Sequence, residues 1–599
     1  MAFDYDNDFV SDIDLELIKV PGVRIEISGA NPPLQFTGTL CTEYHHVVIF
    51  DELGDLALES RQRTLDILKL EHNIELPFRI SYQLIDSLVE SLSPPDAHVV
   101  LICKHFYTYK ITFPTSSKCS DVASYIRVMK ERMNTQIQFL PAFHYQHQCD
   151  DLHAGWQMFS LLSTLQKMNQ NANNMQFRIS DLNKGFGVCL SYPERIIVPV
   201  TVTDEELVQS SKFREGGRFP VVCYYHAARQ TTLVRCSQPL VTAMNRTCHA
   251  DQRVLAMSSP AFKARVAKDP KMSPRSYIVD TRTQADASSD KVRGGGYESE
   301  GYTDAQRFHH FQRPLERVSN LLDSLVKFIK ALKSNHSSVE SYLLAIEGSK
   351  WLEHVRSLIT HACLLQQLLN QEFTSAVVHG LEGRDTTLCS TSLAQMIMDP
   401  ECRTIRGFQE LIHREWILAG HQFQNRHSSL FVQNKARDSR KVSAPVFLLF
   451  LDAVWQYTRC FPTHFEFNEE FLIFLAESSY AGIYGNFLCN SELERVSNAV
   501  FSKTLSLWQH LSDDKNCSRF KNELYDPNRV RSMVFPVSPE SFVPWTGLYS
   551  RKNEKNLKLM MEKAKQAKRM NKKLVIQASL LQQEKMKLLL KIHEKMGDC

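Results

Sequence analysis

The sequence has no run of eighteen apolar residues; its longest strongly apolar stretch, Val446 to Val454, is broken by Asp452. That excludes a membrane-spanning helix of ordinary length. It has no C-x-x-C pair, and its 15 cysteines lie at least twelve positions apart. This excludes a disulfide miniprotein and a structural zinc module. The first residues, Met-Ala-Phe-Asp-Tyr-Asp-Asn-Asp, lack the basic start of a secretory signal, so a cytosolic location with reduced, largely buried cysteines is expected. With 43% hydrophobic and 23% charged residues, neither full disorder nor a collagen-like chain is tenable.

What is present is enough for a sizeable core. A chain of 599 residues predicts about three to five domains, or one large domain with appendages. The net charge of +4 is uneven: residues 550–599 hold 14 Lys and Arg against 5 Asp and Glu, a net +9, leaving −5 for the other 549. The tail is basic and the body slightly acidic.

Residues 1–135 read mainly as strands. Val23 to Ile27, Leu34 to Leu40, His46 to Phe50, Phe78 to Tyr82, Ala97 to Cys103 and Tyr107 to Phe113 are short and β-rich, and Gly, Pro and Asn punctuate them. Asp121 to Met133 has helical spacing, so a small antiparallel β domain closed by one helix is predicted. From residue 150 to 535 helix and strand patterns mix. Helices are predicted at Arg317 to Ser334, Trp351 to Leu369, Thr391 to Met398 and Val446 to Arg459. Strands are predicted at Val221 to Tyr225, Ser276 to Asp280 and Ala376 to His379. This is the pattern of a large α/β domain with insertions. Thr283 to Gly301 and Ser428 to Ser443 read as its loops.

Several constellations look chemical and are not. His144, His147, Cys149 and His153 match no zinc module, and Gly294 to Gly296 lacks the Lys-Ser/Thr of a phosphate loop and reads as a turn. A cysteine phosphatase needs C-x5-R, with a thiolate to attack phosphorus and an Arg fork to grip the phosphate oxygens. Cys189/Arg195, Cys223/Arg229 and Cys489/Arg495 have that spacing, but none of the three intervening segments contains glycine. They lack the backbone freedom to wrap N–H groups around an anion.

The informative segment is Ser375-Ala-Val-Val-His379-Gly380-Leu381-Glu382-Gly383-Arg384-Asp385-Thr386-Thr387. An apolar strand enters a short loop with two glycines, and a helical pattern follows. Strand, tight loop and helix N-terminus form an anion cradle. This is the architecture of a cysteine-phosphatase loop with its nucleophile missing.

Here the chain resembles the myotubularin phosphatases, whose active members carry His-Cys-Ser-Asp-Gly-Trp-Asp-Arg-Thr at this place. His379, Gly383, Asp385 and Thr387 match; Gly380 stands at the nucleophile position and Thr386 at the phosphate-gripping Arg position. The resemblance runs through Arg218-Phe-Pro220, Ser237 to Leu240, Asp280-Thr-Arg282 and Gly294 to Tyr297. It continues through Ser392 to Pro400, Arg403 to Phe408, Glu415-Trp416, Gly420-His421, Pro445 to Phe450, Phe465 to Asn468 and Gly485 to Leu488. The loop pattern itself resembles the inactive subgroup. The resemblance implies a multidomain α+β chain: a PH-like β domain (PH-GRAM, 1–135), an inactive phosphatase-like α/β domain (150–535) and a C-terminal coiled coil (550–596).

The residues agree with lost chemistry. Glycine offers no atom for a phosphocysteine step, and threonine is too short and neutral to replace a guanidinium fork. Asp385 stands where the family places acid catalysis, and with no nucleophile to assist it is expected to cap or hydrogen-bond the loop. Arg384 should point away from the cradle, while Glu382 and Asp385 oppose an anion in it. No catalytic residue, metal or cofactor is expected.

From Ser550 onward, glycine occurs only at Gly597 and proline not at all. With Leu557 at heptad position a, the a residues are Leu557, Ala564, Asn571, Ala578, Lys585 and Ile592, and the d residues are Met560, Ala567, Leu574, Leu581 and Leu588. Nine of these eleven are apolar, which predicts a coiled coil, with Asn571 and Lys585 setting register and partner choice. Periodicity alone implies oligomerisation. The resemblance implies a heteromer with an active myotubularin-related lipid phosphatase, which this chain would stabilise, activate or localise on endomembranes. Homo-oligomerisation, a stand-alone phosphoinositide-binding adaptor acting through PH-GRAM, and an unconventional phosphatase are the alternatives. No nucleic-acid partner is expected.

Overall fold

The computed structural model describes residues 17–28, 34–51, 78–93, 96–144, 153–169, 176–258, 276–298, 308–334, 336–371, 374–431, 442–528 and 533–550. The expectations placed on the coiled coil beyond Ser550, and on His147 and Cys149, lie outside them.

The N-terminal part is a seven-stranded antiparallel sheet. Its strands are β1 (Lys19–Ser28), β2 (Leu34–Thr42), β3 (His46–Asp51), β4 (Phe78–Ser81), β5 (Ile85–Ser91), β6 (His98–Cys103) and β7 (Thr108–Thr112). They lie in the order β4-β3-β2-β1-β7-β6-β5. Alternation drives the packing: Val23, Ile25 and Ile27 of β1 point inward with Val99 and Leu101 of β6. The helix Ser116–Thr135 closes this face with Cys119, Val122, Ile126, Met129 and Met133, which recur every three or four residues. Leu488, Cys489 and Val500, from the far end of the chain, complete the same core, so this unit is docked on the larger one. Sequence reading misses β5 because Asp86, Ser87 and Glu90 leave its faces only half-buried, with no clean alternation.

The larger unit is built on a five-stranded sheet. Its strands are β10 (Val221–His226), β11 (Thr231–Cys236), β12 (Ser276–Asp280), β13 (Phe308–Gln312) and β14 (Ala376–His379), in the order β10-β11-β14-β12-β13. The last four of that order run parallel, and β10 is antiparallel to β11. The short strands β8 (Phe177–Ser180) and β9 (Ile196–Pro199) form a separate pair. β14 is central and buried along its length. Ala376 and Val378 face the helices Val318–Lys333, Trp351–Gln366, Thr386–Met398 and Val446–Cys460, whereas Val377 faces Phe177, Phe213 and Leu255 on the other side. A parallel sheet covered on both faces explains the continuously apolar β14.

Three expectations need correction. Thr283 to Gly301 is not a loop throughout: Gln284–Val292 is a helix, started by Thr283, whose hydroxyl accepts from Asp286 N at 3.1 Å. Its Ser- and Asp-rich sequence hides a helix that buries one apolar residue, Ala287. The helix expected from Thr391 starts at Thr386, and the one expected to run to Leu369 ends at Gln366 in a π-turn, Gln367–Gln371. Among the described residues, no helix is long and apolar enough to cross a membrane.

Candidate functional site

The loop 380–385 leaves the C-terminal end of β14, where His379 pairs in register with Cys236 of β11 and Asp280 of β12. In sheets of this type, ligand sites lie beyond the carboxyl ends of parallel strands. The helix Thr386–Met398 follows, and Thr387 to Ile397 are all buried in it. The loop is therefore held by a helix sunk in the core.

Two glycines shape it. A Cβ on Gly383, at φ +62°, would lie 2.0 Å from Cys236 O, so only glycine allows this approach. A Cβ on Gly380 would lie 2.6 Å from Thr281 Oγ1, so position 380 has neither a side chain nor room for one as the surroundings stand. The three C-x5-R pairs are elsewhere. Cys189, Cys223 and Cys489 are buried, Cys223 inside β10, and burial pushes the Cys489 thiol up to about 11. Cys389 is buried in the helix with its thiol 3.8 Å from Val446 O, and burial drives its pKa well above the ordinary value.

Around the loop lie charged groups that spacing does not reveal. Arg218, fully buried, donates to Gly383 O (3.1 Å), Ala419 O (3.0 Å) and Ser191 Oγ (2.9 Å), and stacks 4.4 Å from the Tyr192 ring. Burial pulls its guanidinium down to about 10. His379 Nε2 lies 3.0 Å from Glu298 Oε2, and Glu298 in turn accepts from Arg214 at 2.8 Å. Arg214 also grips Asp251 with two hydrogen bonds, 2.9 and 2.7 Å. Burial opposes charge on Glu298, but His379 and Arg214 outweigh it and hold the carboxyl well below its usual range.

Of the two roles expected for Asp385, capping or hydrogen-bonding the loop, the structure shows the second: it adopts φ 55° and makes no cap hydrogen bond. Its carboxylate is gripped by Arg426, Nε to Oδ1 at 3.1 Å and Nη2 to Oδ2 at 2.9 Å, with His421 Nδ1 3.2 Å from Oδ1. Burial opposes the charge, yet Arg426 and His421 hold it well below the carboxylate range. A carboxylate so engaged is a brace between the loop and 421–426, not a poised acid. Arg384 turns to Glu382, 3.4 Å away, and Leu381 is exposed.

Of the sequence-derived residues, the structure brings His379, Gly380, Glu382, Gly383, Arg384, Asp385, Thr386 and Thr387 into one loop and helix start. Asp280, His310 and His379 offer ligand atoms within 4.8 Å of one another. Arg282 already binds both Asp280 oxygens, at 3.0 and 2.8 Å, so this group is an ion-paired support rather than an open metal site. His144 bonds Gln138 O at 2.7 Å. Sequence reasoning missed Arg214, Glu298 and Arg426; the only hint is that Glu298 directly follows the Gly294 to Tyr297 segment.

The family description "Myotubularin-like phosphatase domain" matches residues 140–496. The chain belongs to the myotubularin family. Myotubularin-related protein 9 of Mus musculus is 36% identical over 540 residues, covering 90% of this chain and 91% of that protein. The Caenorhabditis elegans protein of the same name is 32% identical over 552 residues, covering 90% of each. A human protein named phosphatidylinositol-3-phosphate phosphatase is 31% identical over 540 residues, 89% of this chain and 76% of that one. Within this myotubularin fold, the strand Ala376–His379, the loop 380–385 and the helix Thr386–Met398 surround a position, Gly380, that has no side-chain atom to react.

Proposed function

We propose that this chain is a catalytically inactive myotubularin that acts as a regulatory subunit. It binds an active myotubularin-related 3-phosphoinositide phosphatase and raises that enzyme's stability, activity or presence on endomembranes. One observation carries the loss of activity: Gly380 has no nucleophilic atom, and Thr281 fills the space in front of it. A covalent phosphoryl intermediate has nowhere to form. Thr386 supplies no guanidinium, and Asp385 is committed to Arg426. The partner role is supported by the heptad pattern from Leu557 to Ile592, which needs a second helix to cover its apolar seam.

The experiment has two arms. Purified full-length protein is assayed on phosphatidylinositol 3-phosphate and its 3,5-bisphosphate, where no turnover above a buffer blank is expected. It is then co-expressed with active family members, and the partner's phosphatase rate is measured with and without it. Turnover abolished by a substitution in the loop 380–387 would overturn the first claim; failure to bind or affect any active member would overturn the second.

A further inference from the structure

Where the N-terminal sheet docks on the larger unit, a cavity of about 250 Å³ opens between them. Its wall is mostly polar: Asp86, Lys104, Lys130 and Asn134 come from the N-terminal side, Ser428 and Ser429 from the larger unit. That volume is just under the range of about 300–1,000 Å³ for small-molecule sites. It suits a small polar ligand rather than a lipid tail.

The charges in this wall are not balanced. Lys104 is 3% exposed, yet its ammonium donates to a backbone carbonyl, His427 O at 3.1 Å, and no carboxylate oxygen of the described residues lies within ion-pair distance of it. Lys130 likewise donates to a carbonyl, Asp86 O. The nearby carboxylate, Asp86, is already engaged. Its Oδ1 accepts from Ser429 Oγ (2.9 Å) and Leu430 N (2.7 Å), and its Oδ2 lies 3.3 Å from Phe431 N. A buried ammonium without a counter-charge is costly. Burial pulls Lys104 down to about 8 and lowers Lys130, with Asp86 only partly opposing it. Each ammonium has N–H groups left to donate.

We propose that this seam is a binding site for a phosphate monoester, whose dianion completes the charge balance of Lys104 and Lys130 and fastens the two units together. The group can come from a soluble phosphate compound or from a phosphorylated lipid headgroup; the recognising chemistry is the same. The wall is also continuous with the degenerate loop. Ser428 and Ser429 follow closely on Arg426, which holds Asp385, so ligand in the seam and the geometry of the loop share one backbone segment. This site is separate from the loop 380–387 and does not depend on its lack of activity.

The test uses the full-length protein. Thermal unfolding is followed in potassium phosphate and in soluble inositol 1,3-bisphosphate, each against chloride of equal ionic strength. Flotation on phosphatidylcholine vesicles with and without phosphatidylinositol 3-phosphate forms a second arm. A ligand that binds only the folded state should raise Tm by about 2 °C or more near saturation. Lys104→Met should fold at least as well in chloride, since it removes an unpaired buried charge, and should lose the response. Lys130→Gln serves as the second variant and should weaken it. A response to the soluble phosphates without flotation on the phosphatidylinositol 3-phosphate vesicles assigns the site to a soluble ligand. Flotation on the phosphatidylinositol 3-phosphate vesicles that is lost in Lys104→Met, with or without a response to the soluble phosphates, assigns it to a headgroup. No response in either arm, or a response unchanged in both variants, overturns the proposal.

Discussion

Thr281 stands where a side chain on residue 380 would have to go: its Oγ1 lies 2.6 Å from the Cβ position of Gly380. Placing a thiol at position 380 therefore also requires room to be made at Thr281. Gly380→Cys should give no turnover of phosphatidylinositol 3-phosphate, because Thr386 cannot bind the equatorial oxygens. Absence of one preorganised contact alone costs on the order of 10²–10³ in rate. The same substitution should destabilise the fold by roughly 1–3 kcal/mol through overpacking. Thr281→Ala in the same chain should recover much of that loss. Urea unfolding of the two single variants and the double variant measures the coupling; additive effects would mean that the two positions do not compete for space. Gly380→Cys with Thr281→Ala and Thr386→Arg is the combination to assay for activity, and robust turnover by Gly380→Cys alone would refute the assignment of position 380.

The pair Asp385–Arg426 should behave as a brace. Arg426→Met leaves a buried carboxylate beside His421, so a loss of about 3–5 kcal/mol is expected. Asp385→Asn combined with Arg426→Met should cost less than the two single losses added together. The sign with pH follows from the depressed carboxyl pKa. The stabilisation is present above the ordinary carboxylate range, and it is lost as pH falls below about 4 toward the folded-state value. Chemical denaturation at neutral pH and at the lowest pH where the protein stays folded checks it; equal losses for the double variant and the summed singles would remove the brace.

The elements that were readable from sequence are those whose reasons are local. The strand Ala376–His379 is a short apolar run stopped by glycine, and Val446–Cys460 is long and apolar, so both are legible. The loop is legible for a different cause: Gly383 is required by the 2.0 Å approach to Cys236 O, and glycine at such a spacing after an apolar strand shows in the sequence. The helix Gln284–Val292 was hidden because its polar surface overwhelms one buried alanine. The supports of the site were hidden because they are tertiary. Arg426 lies 41 residues from Asp385, and Arg214 lies 84 from Glu298. No sequence window spans such pairs, and an isolated Arg or Glu reads as surface until the fold buries it.

Asp452 offers a second pH test with the opposite sign. It is fully buried and accepts from Trp351 Nε1 (2.8 Å), Tyr549 OH (3.0 Å) and Gln456 Nε2 (3.1 Å). Burial outweighs these donors and pushes the carboxyl up to about 6. A folded-state pKa above the unfolded one means that the proton stabilises the fold below about 4 and that this is lost as pH rises through 6. The shift corresponds to roughly 3 kcal/mol. Asp452→Asn should therefore gain on the natural chain between pH 4 and 7 in urea midpoints. Parallel curves for the two proteins across that range would show that Asp452 ionises as freely as in the unfolded chain.

The partner hypothesis is tested in the heptads. Leu574 and Leu581 are successive d residues near the middle of the Leu557 to Ile592 pattern, between the polar a residues Asn571 and Lys585. In a coiled coil, each d side chain fills a hole on the facing helix. Leu574→Asp with Leu581→Asp removes two such knobs and puts charge into the seam. At roughly 2–5 kcal/mol for each lost leucine, before the added charge is counted, a micromolar complex worth about 8 kcal/mol would no longer persist. The phosphatase-like core should be untouched, because the apolar cluster of the described residues is built from segments that precede the heptads. The thermal transition of the isolated double variant should therefore match the natural chain, which separates lost association from lost folding. Co-immunoprecipitation with an active myotubularin-related phosphatase, read together with that enzyme's rate, is the measurement. Normal binding and undiminished stimulation by the double variant would move the interface off the heptads and onto the surface of the N-terminal sheet or the phosphatase-like unit.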